Sequence, residues 1–283
     1  MKYFVYTVLL SLTACTVSLA QSDSLSTSPW THTLVSSLTL TQVSYSDWAQ
    51  GGENALAYTL TIDGSSERDL PKTNWSNSYT LAYGQTRLGS KGLRKTDDKI
   101  ELESVLTYKL DNYLNPYCSA TFKSQFDDGY KYNDETGTKI QTSSRFDPMY
   151  LTQAVGAGYK PMKQIKTRLG VGLREVFSSK FSYADDSNTT ATVETSKIEG
   201  GLESVTDIEW KFEENLLLTS KLEIFAPFKT LDVMVVRMNN TLSAKVSRYI
   251  SVGFNVQLIN DPSITRKTQV KEALAMGLTY TVL

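Results

Sequence analysis

Apolar and polar residues alternate in segment after segment from about residue 30 to the end of the chain. Alternation places successive side chains on opposite faces of an extended backbone, so it predicts β-strands. No segment longer than one turn has a helical period. The chain therefore reads as all-β, with about twelve strands. The clearest strand has five apolar residues on one face: Ile250, Val252, Phe254, Val256 and Leu258.

The strands have the features of a membrane barrel. Many span about ten residues or more, their polar faces carry long charged side chains, and their apolar faces often have an aromatic residue near one end. A soluble β-sandwich also alternates and is the alternative. In hydrocarbon every backbone amide and carbonyl must pair within the protein, so a membrane sheet must close. We predict an antiparallel transmembrane β-barrel over residues 30–283.

The connections between the strands alternate in length. Four are tight turns, and two are long and polar, at 127–148 and 178–197. With both termini in the periplasm, the turns lie on the periplasmic side and the long loops lie outside the cell, as is usual for such barrels. Asp63 to Asn74 is an exception, a long connection on the periplasmic side. A change of parity within 34–45 predicts a β-bulge. Strand boundaries stay open within 30–45 and within 230–246.

The N-terminus predicts export. Residues 1–20 have a basic start, an apolar run and small residues before a cut after Ala20, which is the pattern of a signal peptide. Residues 12–15 also resemble a bacterial lipobox, in which Cys15 would be lipidated. Residues 21–29 form a polar, flexible tail. After the cut only Cys118 remains, so no internal disulfide is possible. We expect the mature chain in the bacterial outer membrane.

The composition excludes several function classes. Lys plus Arg number 29 and Asp plus Glu number 30, so the basic excess of a nucleic-acid binder is missing. His32 is the only histidine and no G-x-S-x-G motif occurs, so we predict no enzyme activity. The acidic pairs at 127–128 and 185–186 lack Ca²⁺-loop spacing and are interpreted as solvated loop charge. We expect no metal and no cofactor.

Charged residues on the polar faces are the candidate site. Three basic residues on one strand follow a pattern that places them beside three acidic residues on the next, and a second acidic pair faces Lys123. They either line a charged channel or polar-ligand site, or they satisfy one another in a filled lumen; twelve strands leave only a modest bore. The predicted lumen-lining residues are Glu101, Glu103, Lys123, Lys166, Arg168, Arg174, Glu203, Asp207, Glu209, Lys221 and Glu223.

A second motif lies between the first two strands. It is a ligand-binding or gating loop at the barrel mouth, or a turn in which glycines supply positive φ and a tryptophan anchors at the membrane interface. The turn is the preferred interpretation. The residues are Trp48, Gly51, Gly52 and Asn54.

The chain resembles the family catalogued as domain of unknown function 3078, found among outer-membrane proteins of Bacteroidota. The run from Ser46 to Asn54 carries the most specific part of the resemblance. Weaker parts are 95–100, 124–130 and 145–151. The resemblance extends over nearly all of the mature chain and implies a β-barrel in the outer membrane. It supplies no catalytic residues.

Two functions remain open from the sequence. The first is a narrow channel for small polar or charged solutes. The second is a non-conducting surface barrel whose loops at 127–148 and 178–197 bind a partner or matrix. Expected partners are outer-membrane lipid and the barrel-assembly machinery, which recognises a C-terminal strand such as 271–283. No nucleic-acid partner is expected, and the solute or protein partner is not readable.

Overall fold

The computed structural model describes residues 29–44, 53–111, 114–185, 192–262, 264–265 and 267–281. The predicted signal peptide and nearly all of the predicted tail lie outside these residues. The described part contains a one-turn 3₁₀-helix at Ser182–Ala184 and fourteen strands: β1 (Trp30–Val43), β2 (Ala55–Asp69), β3 (Thr73–Leu88), β4 (Arg94–Tyr108), β5 (Leu114–Ser124), β6 (Gly129–Asn133), β7 (Thr138–Ser143), β8 (Met149–Met162), β9 (Ile165–Phe177), β10 (Ser196–Glu213), β11 (Leu216–Pro227), β12 (Val235–Lys245), β13 (Ile250–Asn260) and β14 (Gln269–Thr281).

Twelve of these described strands form one closed antiparallel barrel. Strands follow one another around it in chain order, except that β5 pairs with β8, and β1 pairs with β14 to close the sheet. Closure leaves no unpaired strand edge. The remaining two strands, β6 and β7, form a separate hairpin between β5 and β8. The prediction of an all-β barrel of about twelve strands is confirmed.

No helix in the described part of the chain is long and apolar enough to cross a membrane.

The two ends of the barrel differ. At one end, here the turn end, the strands are joined at 70–72, 109–113, 163–164, 214–215 and 246–249. The other end, here the loop end, carries the longer connections at 44–54, 125–148 and 178–195, besides 89–93, 228–234 and 261–268. Both β1 and β14 have their free ends at the turn end, so the asymmetry predicted from the sequence is present.

The predicted long connection at 63–74 is wrong. Strand β2 continues to Asp69 and β3 begins at Thr73, leaving a turn of three residues. The polar run Ser65–Arg68 pairs residue by residue with β3, so its backbone is satisfied by the sheet although its side chains are not apolar. Polar side chains suit this position because the strands here reach the turn end, where they leave the hydrocarbon.

The predicted bulge in β1 is also wrong. β1 pairs with β2 through Trp30–Val43 without a shift of register. The apparent change of parity has another cause, which is the kind of residue on each face. The polar Ser36 lies on the outer face with the exposed Leu38 and Leu40, and the apolar Val35 points inward. Register shifts occur instead between Gly84 and Gln85, and at two sites near the turn end, in β8 and β10.

The outer face of the barrel is apolar. Large aliphatic side chains stand exposed on it around the barrel, for example Leu274 at 76% and Leu169 at 62%. Aromatic side chains are added near the turn end, where Trp210 and Phe212 stack with ring centroids 5.1 Å apart. The exposed outward aromatics there are Trp75, Tyr108, Tyr159, Trp210, Phe212, Tyr249 and Tyr280. An apolar belt edged by aromatic residues matches the requirements of a lipid bilayer.

Candidate functional site

Six charged side chains meet inside the barrel in a connected set of ion pairs. Glu103 on β4 receives hydrogen bonds from Arg168 on β9 and from Lys221 on β11, the second at 2.5 Å between Nζ and Oε2. Lys123 on β5 contacts Glu101, with 3.1 Å between Nζ and Oε1, and donates to Glu223 on β11. We call this set the lumen bridge. Its members are Glu101, Glu103, Lys123, Arg168, Lys221 and Glu223.

The lumen bridge crosses the inside of the barrel. β4 and β11 are five places apart in the strand order, so a contact between their side chains passes through the lumen rather than along the sheet. The bridge holds three carboxylates and three cations, and Lys99 of β4 adds a fourth cation beside it, with its Nζ 2.7 Å from Oε2 of Glu101. Each of the six side chains is largely buried and has a partner of opposite charge. Such pairing is expected, because an unpaired buried charge is costly.

The wall behind the bridge is closely packed. It consists of β4, β5 and β8–β11, and we call it the charged wall. Inward-facing Tyr117, Ala154 and Val205 are buried on it. Gly170 permits this packing, since a Cβ atom there would lie 2.7 Å from the Tyr117 hydroxyl and 2.4 Å from the Val155 carbonyl oxygen. A small cavity of about 60 Å³ lies between inward side chains of this wall and of β12.

The opposite wall is neutral and open. It consists of β13, β14 and β1, and we call it the neutral wall. Its inward-facing side chains between the ends are small or uncharged, and they remain partly exposed to water, as at Ala273 and Ala275. Gly253 shows the open space directly, because a Cβ atom there would meet no heavy atom within 4 Å. Near the loop end, Lys271 pairs with Asp97 of β4 at 3.0 Å.

A cavity of about 1230 Å³ runs inside the barrel. Its lining includes Asp69 and Lys160 at the turn end and Lys95 and Gln269 at the loop end, so one cavity reaches both ends. The lumen bridge lies along it between these ends.

A second buried ion pair lies above the bridge, toward the loop end. Arg174 on β9 donates from Nη2 to Oδ2 of Asp261 at 2.9 Å, and Asp261 is fully buried directly after β13. Arg237 on β12 approaches the same oxygen at 3.9 Å and lies over the Tyr150 ring. No local pattern in the sequence indicates Asp261, because its partner Arg174 is 87 residues away.

The structure rearranges the predicted pairing between β9 and β10. These strands are neighbours, but Arg168 binds Glu103 on β4 and Arg174 binds Asp261 after β13, instead of the acidic residues of β10. Cross-strand neighbours on a sheet are set by register, whereas long side chains reach across the lumen to whichever partner the barrel closure brings near.

The other predicted residues line the lumen without ion pairs. Glu203 is buried and accepts a hydrogen bond from Tyr117 at 3.4 Å. Lys166, Asp207 and Glu209 line the large cavity and make no ion pair within 4 Å to any described residue. These three supply fixed charge at the turn-end side of the bridge.

A lid of two loops stands over the charged wall at the loop end. The Asp147 carboxylate, just before β8, accepts hydrogen bonds from the Ser178 hydroxyl at 2.6 Å, the Ser179 amide at 3.0 Å and the Lys180 amide at 2.9 Å. Tyr183 adds a second tie by donating to the Thr142 carbonyl oxygen of β7 at 2.8 Å. Loops 125–148 and 178–185 are therefore fastened to each other.

Hydrogen bonds stabilise the ionised form of two carboxylates in the lid, Asp147 and Asp134. Burial opposes ionisation of Asp147, but the hydrogen bonds from residues 178–180 prevail and lower its pKa below the ordinary value. On the β6–β7 hairpin, the Asp134 carboxylate accepts hydrogen bonds from Arg94 at 2.6 Å and from Lys91 at 2.9 Å. Arg94 begins β4, and Lys91 lies in the connection before it. Those hydrogen bonds, with Arg94 first, lower the pKa of Asp134 to about 2.

The remaining sequence candidates have separate positions. Trp48, Gly51 and Gly52 lie outside the described residues, while the Asn54 carbonyl accepts the Gly89 amide at 2.6 Å at the loop end. No group of three or more His, Cys, Asp or Glu residues suited to a metal occurs among the described residues. Cys118 is exposed on the outer face of β5.

His32 has a serine partner on the outer face. Its Nδ1 lies 2.8 Å from the Ser66 hydroxyl, near the turn end. Within the described residues no carboxylate or amide group bonds the other imidazole nitrogen, so the pair lacks the third member that orients a catalytic base. The expectation of no enzyme activity stays a prediction.

A closed sheet with an apolar, aromatic-edged exterior and a charged, water-accessible interior defines a transmembrane β-barrel protein.

Residues 40–130, about a third of the chain, match the family described as "Protein of unknown function (DUF3078)". This match confirms the resemblance found in the sequence; the segment 145–151 lies beyond it. No curated protein matches the chain.

Several solved outer-membrane proteins are similar in shape. The translocator domain of the autotransporter NalP from Neisseria meningitidis is 9% identical, with 99% of this chain and 97% of that chain covered and a TM-score of 0.37. The COG4313 outer membrane channel from Pseudomonas putida F1 is 9% identical, with 94% and 98% covered and a TM-score of 0.41. Likenesses at these scores carry no argument about what this chain does.

Proposed function

We propose that this protein is a narrow channel of the bacterial outer membrane, through which small polar or charged solutes diffuse without chemical change. The observation that supports the proposal is the cavity of about 1230 Å³ whose lining includes residues from both ends of the barrel. Solutes pass beside the lumen bridge along this cavity, and the small side chains of the neutral wall leave further room on the other side of the lumen.

The lumen bridge sets the selectivity of the passage. Together with Lys99, Lys166, Asp207 and Glu209 it places five positive and five negative groups beside the route, so the intact protein has only a weak preference between cations and anions. A unit charge 4 Å from a passing ion changes its energy by about 1 kcal/mol even at the dielectric constant of water. One unbalanced bridge charge therefore changes the permeability of a cation and of an anion about fivefold each, in opposite directions, and the permeability ratio changes by more than that.

The test is single-channel recording of the folded protein in a planar bilayer, with the permeability ratio taken from the reversal potential in a KCl gradient. We expect small, steady openings. Lys221→Met leaves the bridge negative and shifts the preference toward K⁺. Glu101→Gln leaves it positive and shifts the preference toward Cl⁻. Lys131→Met on the exposed hairpin is the matched control and leaves the ratio unchanged.

Stable insertion without any conductance contradicts the channel. That result favours the alternative of a non-conducting surface barrel and directs attention to the lid, whose hairpin exposes Ile140 at 67%. Steady openings with no change of ratio in either bridge variant would instead place the route away from the bridge.

A further inference from the structure

One arginine on the outer face near the turn end lies between two tryptophans. Arg68, the next-to-last residue of β2, is the register partner of Trp30 on β1 and of Trp75 on β3. All three face outward, since Trp30 has the parity of the exposed Leu38. Strands β1 and β3 are about 10 Å apart, one on each side of β2. The two indole rings nevertheless have their centroids 5.3 Å apart, so they lean toward each other across β2 at the position of Arg68.

The guanidinium of Arg68 has no partner among the residues that the structure describes. It makes no ion pair and no hydrogen bond with any of them, and its Nε is buried. The acidic residues before and after it line the lumen, where Glu67 accepts a hydrogen bond from Asn74 and Asp69 pairs with Lys109. A partly desolvated charge at a membrane surface is costly unless it is paired, so Arg68 needs a partner from outside the barrel.

The turn-end half of the described barrel strands has no second cation of this kind. The other basic residues there point into the lumen, as Lys160 and Lys166 do, or lie in the turns beyond the strands. Arg87, the next-to-last residue of β3, also faces outward, but it lies at the loop end, is exposed to water and has Leu56 as its register partner. The missing partner and the two tryptophans together therefore single out Arg68.

The position of Arg68 is that of the lipid headgroups. Trp75 belongs to the outward aromatic residues that edge the apolar belt at the turn end, and such residues lie at headgroup level. Phosphate is the group at that level that complements a guanidinium, which can donate two parallel hydrogen bonds to its oxygens. The outward residues beside Arg68 on β1–β3 are neutral, for example Ser66 and Asn77. None of them is a carboxylate that could bind an ammonium headgroup, so a lipid with net negative charge fits best.

We propose that Arg68, with Trp30 and Trp75 on either side, binds the phosphate of an anionic phospholipid in the membrane leaflet at the turn end. The Nη groups of Arg68 donate to the phosphate oxygens, because Nε is covered. The acyl chains lie along the apolar face of the same strands, where Leu38 and Leu60 are register partners and both are exposed. The proposal does not depend on the channel function.

Native mass spectrometry of the purified protein in a nonionic detergent, titrated with phosphatidylglycerol, tests the site. We expect Arg68→Met to weaken binding of the first lipid about fivefold, the value of one basic residue near an anionic lipid surface. Arg87→Met is the matched control, because it removes an outward arginine from the equivalent place in the neighbouring strand, and it leaves the affinity unchanged. Equal affinity in the wild type and Arg68→Met, or an equal loss in both variants, overturns the proposal.

Two measurements on the wild-type protein need no variant. Phosphatidylcholine has the same phosphodiester but a cationic headgroup, and we expect it to bind several-fold more weakly; equal affinity for the two lipids overturns the preference for an anionic one. A large excess of inorganic phosphate should leave phosphatidylglycerol bound. Displacement of the lipid by inorganic phosphate would show a site for the free anion and overturn the assignment to lipid. If Arg68→Met fails to fold, Arg68→Gln takes its place.

Discussion

The charged wall and the neutral wall of the lumen are built from the same kind of strand but are stabilised differently. On the charged wall, side chains from distant strands pair across the lumen and bury one another. On the neutral wall, small side chains leave the backbone near water and make few contacts inside. The barrel is closed by backbone hydrogen bonds on both sides. The difference therefore concerns the lumen alone: one wall fills it, and the other leaves it open.

The largest expected effect is on stability at the charged wall. Glu103→Gln leaves Arg168 and Lys221 without their shared carboxylate, and removing one partner of a buried ion pair costs about 3–5 kcal/mol. The measurement is urea unfolding of the protein folded in lipid vesicles, followed by tryptophan fluorescence. Ser37→Ala on the neutral wall is the matched control, with an expected change within about 0.5 kcal/mol. Similar losses in both variants would remove the distinction between the walls.

A smaller effect is expected on conductance when the neutral wall is filled. Gly253 has open space in front of it, so Gly253→Phe projects a ring into the passage and reduces single-channel conductance by about half or more. Leu242→Phe places the same ring on the lipid side and leaves the conductance unchanged. If Gly253→Phe conducts like the wild type, the passage does not follow the neutral wall.

The smallest effect concerns the lid above the charged wall. Asp147→Asn weakens the bonds to the Ser179 and Lys180 amides, and hydrogen exchange of these amides becomes about tenfold faster, as expected for the loss of about 1.5 kcal/mol. Asp134→Asn on the hairpin is the control and leaves these two amides unchanged. Unaltered exchange in Asp147→Asn would show that the loops are held by other contacts.

The same site has a predictable pH dependence. The pKa of Asp147 is lower in the folded protein than its ordinary value of about 3.9. Ionised Asp147 therefore stabilises the lid above that pH, and the contribution is lost as the pH falls through the lowered pKa. Exchange at residues 179 and 180, corrected for intrinsic rates, should rise in acid in the wild type but not in Asp147→Asn.

Much of the fold was determined by the sequence alone. The alternation of residues such as Ile250 to Leu258 defines a strand and its two faces, and the number of such segments gives the twelve strands. Predictions from the alternation pattern were wrong at two places, where polar residues within a strand resembled a loop or a β-bulge. Polar residues at 65–68 looked like a loop but form the end of β2, and Ser36 on the outer face looked like a change of register.

The sequence also predicts a face for each charged side chain within a strand, but only the tertiary structure decided the partners of these charges. Facing follows from a period of two along each strand, which is local information. Pairing depends on which strands barrel closure brings opposite each other. Glu103 therefore binds Lys221, 118 residues away, and Arg174 binds Asp261 rather than its neighbours on β10. The open neutral wall has the same origin, because free space is set by the side chains that reach across the lumen.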